Sequence, residues 1–120
     1  MKVLVVDDIE DAAEVLSMLV QELGHDTMVA YHPTPALSRV QHDLPDLCLL
    51  DIGLPDMDGY ELARRVRTML GSRVTLIAVT GYGLPWDREA AFAAGFDEHF
   101  TKPLDVERLI ALIATLRPAS

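Results

Sequence analysis

Asp7 and Asp8 close the apolar run Leu4-Val5-Val6, and Asp51 closes Leu47-Cys48-Leu49-Leu50. Thr80 follows the run ending at Val79, and Lys102 follows Phe100-Thr101. Carboxylates crowded together repel one another, and at least one would keep its proton unless a cation came between them. A divalent ion relieves that repulsion. Magnesium takes oxygen ligands in octahedral geometry, keeps several waters and uses one or two carboxylates with a phosphate oxygen; manganese accepts the same donors. Asp8 and Asp51 are the expected direct ligands. A carboxylate can also be the nucleophile that accepts a phosphoryl group, provided cations neutralise the charge in transit. Asp51 is best placed for that role. Lys102 would hold a positive charge against one phosphoryl oxygen, and the Thr80 hydroxyl would donate to another.

Each of these residues alone has an ordinary explanation. An Asp after a strand usually caps a turn or helix by accepting from nearby backbone amides, and Asp8 alone reads as a cap. Asp58 and Asp105 are expected to cap the helices that follow them, Asp46 to lead into a strand, and Asp56 to sit in a turn. Thr80 alone is a strand-end threonine, and Lys102 alone a solvated lysine. The argument for chemistry rests on the set: Asp-Asp, Asp, Thr and Lys-Pro at the ends of four apolar runs.

The elements that would position them are short apolar runs alternating with stretches of helical period. Lys2 to Val6 reads as a strand, followed by a helix with Ala12, Val15, Leu16, Leu19 and Leu23 inward and Gly24 as its stop. Thr27 to Tyr31 is a second strand, before a helix capped by Thr34 with Pro35 in its first turn, carrying Leu37 and Val40 as far as Leu44-Pro45. Asp46 to Asp51 is the third strand. Asp58 and Glu61 then make a capping-box-like start to a helix bearing Leu62, Val66 and Leu70, ended by Gly71. Val74 to Val79 is the fourth strand, before a small-faced helix from Trp86 to Ala94 that stops at Gly95. Asp97 to Thr101 is the fifth, and Asp105 opens a helix presenting Leu109, Ile110, Leu112, Ile113 and Leu116. Strand and helix alternating in this way imply crossover connections, hence an α/β fold with a mainly parallel sheet and helices on both faces. In such sheets ligands bind beyond the carboxyl ends of the strands, where the polar residues above stand.

The 120 residues suit one domain, spanning 1 to 120, with one hydrophobic core region. Half of them are hydrophobic and 24% charged, a composition of folded rather than disordered chains. The net charge of -9 and the lack of a basic stripe argue against direct nucleic-acid binding. The single cysteine, Cys48, lies in an apolar run and is expected to be buried, which fits a reducing, cytoplasmic setting. No apolar run approaches the roughly 18 residues of a membrane span, and no signal peptide is evident.

VLVVDD at 3–8, DIGLPDMDGYELARRVR at 51–67, VTGYG at 79–83 and FTKPLD at 100–105 together resemble the response-regulator receiver domain of two-component signalling, of the chemotaxis-regulator type. The resemblance covers essentially the whole chain. It implies a doubly wound (βα)5 flavodoxin-like sandwich with strand order 2-1-3-4-5. It also implies that Asp51 is a phosphoacceptor served by a histidine kinase or histidine phosphotransfer protein. Asp8 would hold magnesium directly, Asp7 through water, and the Gly53 carbonyl would complete the protein ligands. Thr80 and Lys102 match the switch hydroxyl and the lysine, and the Lys102-Pro103 peptide would be cis, which proline tolerates. Phosphorylation would alter the face built from helix 4, strand 5 and helix 5, the usual partner surface.

Two departures stand out. Receivers usually carry Tyr or Phe three residues before the lysine, where this chain has His99, with Phe100 on the opposite strand face. A histidine there is either a weaker, pH-sensitive switch or a partly exposed residue with no switching role. His25, His32 and His42 show no ligand spacing and read as surface. The positions two beyond Asp51 and two beyond Thr80, which tune hydrolysis of the acyl phosphate in this family, are Gly53 and Tyr82. They predict a phosphoryl lifetime longer than in fast chemotactic receivers.

Other classes fit less well. An aspartyl-phosphate phosphatase would want a second Asp two residues after the nucleophile, and Gly53 stands there. A phosphorylation-independent docking module of the same fold would typically lack an acidic residue or the lysine, and a flavin-binding relative would need a phosphate-cradling loop after strand 1. With only Arg117 to Ser120 after Leu116, the expectation is a stand-alone regulator or a receiver excised from a hybrid sensor kinase.

Overall fold

Runs of four to six residues are too short for helices, and the three central ones, rich in valine, leucine and isoleucine, suit a sheet buried on both faces; all five form strands in the computed structural model. The structure describes residues 1–53, 58–80, 88–102 and 104–116. The strands are β1 (Lys2–Val6), β2 (Asp26–Ala30), β3 (Leu47–Asp51), β4 (Thr75–Thr80) and β5 (Glu98–Thr101). They alternate with helices α1 (Glu10–Glu22), α2 (Pro33–Asp43), α3 (Gly59–Leu70), α4 (Arg88–Ala94) and α5 (Val106–Thr115). All pairings are parallel, in the order β2-β1-β3-β4-β5.

Alternate side chains leave the sheet on opposite faces. Leu4, Val6, Cys48, Leu50, Leu76 and Ala78 pack with α2, α3 and α4, whereas Val3, Val5, Leu47, Leu49, Ile77 and Val79 pack with α1 and α5. Cys48 is fully buried, and burial pushes its thiol up to about 12, so it is inert packing.

The helix ends follow expectation in part. Gly24, Gly71 and Gly95 all have positive φ just past a helix or turn, and Asp58 and Asp105 accept from the Tyr60 and Arg108 amides. Glu61 does not close the expected capping box; it pairs with Arg64 at 2.8 Å and Arg65 at 3.3 Å, neighbours on its own helix. Helix α2 begins one residue before the expected cap: His32 is its N-cap and Pro33 its first residue, where the proline's fixed φ is already helical. The inward stripe of α1 is Ala13, Leu16 and Val20, while Val15 is 68% exposed. Two overlapping apolar stripes were compatible with the period, and the smaller Ala13 lets the helix lie close to the sheet.

Candidate functional site

Register brings the strand ends together. Val6 lies opposite Leu50 and Leu50 opposite Ala78 in neighbouring strands, so the residues that follow, Asp7, Asp51 and then Thr80, emerge at one edge. Thr80 lies opposite Thr101, which places Lys102 at the same edge, its amide donating to the Thr80 carbonyl at 2.8 Å.

At this edge one oxygen from each of Asp7, Asp8 and Asp51 lies within 4.8 Å of the others. Asp7 and Asp51 are buried, at 5% and 6% exposure, and Asp8 lies nearer the surface. Asp7 Oδ1 accepts from the Ile9 amide at 2.9 Å, so the turn into α1 is held by Asp7 and Asp8 does not cap. Asp51 Oδ1 accepts from the Gly53 amide at 2.9 Å in the same fashion. The Lys102 ammonium donates to Asp7 Oδ2 at 2.8 Å and stands 4.0 Å from Asp51 Oδ2.

Burial, and after it the neighbouring Asp7 charge, push the Asp51 carboxyl up to about 6, against the pull of the Gly53 amide and Lys102. Lys102 therefore does not offset burial and the Asp7 charge at Asp51. An oxygen-only donor set of three carboxylates this close together fits a hard divalent cation.

Thr80 is 2% exposed, and its hydroxyl lies 3.2 Å from Nε2 of His99; the same nitrogen is 3.3 Å from the Thr101 hydroxyl. Burial, and then Arg108, hold the His99 ring below the usual histidine range, opposed by Glu98. Phe100 points to the other face, where the Arg108 guanidinium lies 4.2 Å from its ring centroid. The Thr101 contact was not anticipated from sequence; its signal is the i, i+2 spacing that puts Thr101 on the same strand face as His99.

Beside the carboxylates an apolar groove of about 470 Å³ opens between α1 and α5, bordered by Val15, Leu19, Leu104 and Val106 and reaching Asp7 and Lys102. The helical period alone does not reveal it, because that period allows Val15 a place in the core. Asp56, Gly81 to Pro85 with Tyr82, Trp86 and Pro103 lie outside the described residues, and the expected cis Lys102-Pro103 peptide falls with them.

A family model described as the response regulator receiver domain matches residues 3–114. This chain belongs to the receiver family. Receivers are phosphoacceptor modules of two-component signalling, and the five-stranded 2-1-3-4-5 fold is theirs. An uncharacterised 14.6 kDa protein from the sodA1 3′ region of Leptolyngbya boryana is 40% identical over 114 residues, 94% of this receiver and 87% of that protein. Among solved structures, a response regulator receiver domain protein of Methanospirillum hungatei has a TM-score of 0.86 at 27% identity, covering 94% of this chain and 90% of that one. A two-component response regulator of Clostridium difficile has a TM-score of 0.85 at 27% identity, covering 94% and 92%.

Proposed function

We propose that Asp51 accepts a phosphoryl group from a phosphohistidine on a histidine kinase or phosphotransfer protein and so switches the receiver's affinity for a downstream protein. The convergence of Asp7, Asp8, Asp51, Thr80 and Lys102 at one strand edge carries this reading. The Gly53 amide tethers Oδ1 of Asp51, leaving Oδ2 on the Lys102 side to attack phosphorus as the donor's P–N bond breaks. A magnesium or manganese ion held by Asp8, Asp51, the Gly53 carbonyl and, through water, Asp7 would supply charge neutralisation to the phosphoryl oxygens. Lys102 then exchanges its contact with Asp7 for a phosphoryl oxygen, and the Thr80 hydroxyl donates to another.

Drawing Thr80 toward the site alters the face of α4, β5 and α5, the surface for the downstream partner. Gly53 brings no polar side chain to the attacking water, so the acyl phosphate outlasts the seconds scale. Ile9, Val15 and Met18 are exposed apolar residues near Asp8 and the groove, a surface suited to the donor protein. The -9 charge and the absence, among the described residues, of a helix long and apolar enough to cross a membrane suit a cytoplasmic signalling partner rather than a nucleic-acid or membrane binder.

The test is phosphorylation by acetyl phosphate with magnesium, in wild type and Asp51→Asn. Wild type is expected to label and the variant not to; equal labelling overturns the assignment. A folded wild type that takes no label leaves the docking-module reading.

A further inference from the structure

Nε2 of His99 stands between two hydroxyls, 3.2 Å from Thr80 Oγ1 and 3.3 Å from Thr101 Oγ1, with Thr80 almost fully buried. A threonine hydroxyl has a single proton to give. Taking Asp51 as the phosphoacceptor, we propose that His99 and the phosphoryl group compete for the Thr80 hydroxyl proton, so that a protonated His99 favours the phosphorylated state.

In its Nδ1–H form the neutral ring accepts at Nε2, and a Thr80 proton committed there is withheld from a phosphoryl oxygen. The imidazolium has only donors. It gives Nε2–H to Thr80 Oγ1, and the hydroxyl proton is then free to turn toward Asp51. His99 is thus a positioning residue for Thr80. Among the described residues, the charges acting on the ring are Arg108 from α5 and Glu98 from its own strand, paired with each other at 2.9 Å; β4 contributes the uncharged Thr80. Lys102, three residues on, is engaged by Asp7 on the far side of the site. Because coupling between two binding events is reciprocal, occupation of the phosphoryl position must raise the affinity of His99 for its proton.

The experiment follows the His99 ring nitrogens by NMR in the full chain from about pH 5 to 9 with magnesium, with and without beryllofluoride as the phosphoryl mimic. Without it, the neutral ring is expected as the Nδ1–H tautomer. With it, the His99 midpoint is expected to rise by about half a unit or more, and Thr80→Val to abolish most of that rise. By linkage, beryllofluoride affinity relative to His99→Gln then strengthens about threefold from alkaline to acid pH. The ratio to His99→Gln cancels the titration of the carboxylates, which both proteins share. An Nε2–H resting tautomer, an unmoved midpoint, or an equal rise in Thr80→Val, which would reflect the mimic's charge alone, overturns the proposal while leaving Asp51 as acceptor. A wild type that binds no beryllofluoride overturns both.

Discussion

The Asp51 carboxyl keeps its proton to about pH 6 in the fold, against a normal value of 3.8. The folded chain therefore binds more protons than the unfolded one between those values, so stability falls as pH rises through that window and stays lower above it. Asp51→Asn keeps an acceptor for the Gly53 amide and removes the buried charge. Without divalent cations it is expected to gain roughly 2 kcal/mol at pH 7.5 and almost nothing at pH 4. Urea unfolding of both proteins at the two pH values checks this; equal stabilities at pH 7.5 contradict it. A residue whose native form costs stability is one kept for chemistry. That tension was visible in the sequence as three acids at two strand ends, whereas the identity of the acid that turns the chain was not. Both Asp7 and Asp8 can make such a turn, and the one whose oxygen reaches the Ile9 amide is decided by the path of α1.

At the scale of elements, one side chain ties together the sheet edge opposite the site. The Arg67 guanidinium, on α3, donates to the carbonyls of Gly71 and Val74, each at 2.7 Å, to the Gly95 carbonyl, and to Asp97 at 2.9 Å. It thereby links the end of α3 to the starts of β4 and β5 and to the end of α4. Arg67→Ala is expected to cost about 2 to 3 kcal/mol, with Arg67→Lys recovering little because a point charge cannot fill a fork of carbonyls. Chemical denaturation measures it, and a loss under half a kcal/mol would contradict the role. Gly59 shows a comparable constraint next to the site: a Cβ there would clash with the Ile52 backbone, one residue past Asp51. The Asp58-Gly59 pair reads from sequence as a helix start, and its close approach to β3 does not. The exposed apolar edge of α1 supports a test of the donor surface. Val15→Glu is expected to lower phosphotransfer from a protein donor at least tenfold, about 1.4 kcal/mol, and to leave labelling by acetyl phosphate unchanged. Equal transfer rates would remove α1 from that surface.

For the whole molecule, the -9 charge and the converging carboxylates lead to the expectation that folding responds to divalent cations. Magnesium at about ten times its dissociation constant is expected to add about 1.4 kcal/mol, a rise of roughly 4 to 6 °C in Tm for a chain of this size. Asp8→Asn is expected to lose most of that rise, with sodium chloride at matched ionic strength as the control. A rise equal in sodium chloride would show general screening instead of a site.

The sequence by itself determined what is local: five short strands, five helices, most helix stops, and which residue types stand at the strand ends. These follow from period, from turn residues and from the conformational limits of glycine and proline, all readable within a few positions. Only the tertiary structure decided what depends on packing between distant segments. The register that sets Val6 against Leu50 brings Asp7 to Asp51, and the docking of α1 turns Ala13 inward and Val15 outward. The same packing sends Lys102 to Asp7 and brings Nε2 of His99 to the Thr80 hydroxyl. Each is a choice between arrangements of nearly equal local energy, settled by burial and by the pairing of buried polar groups across the sheet.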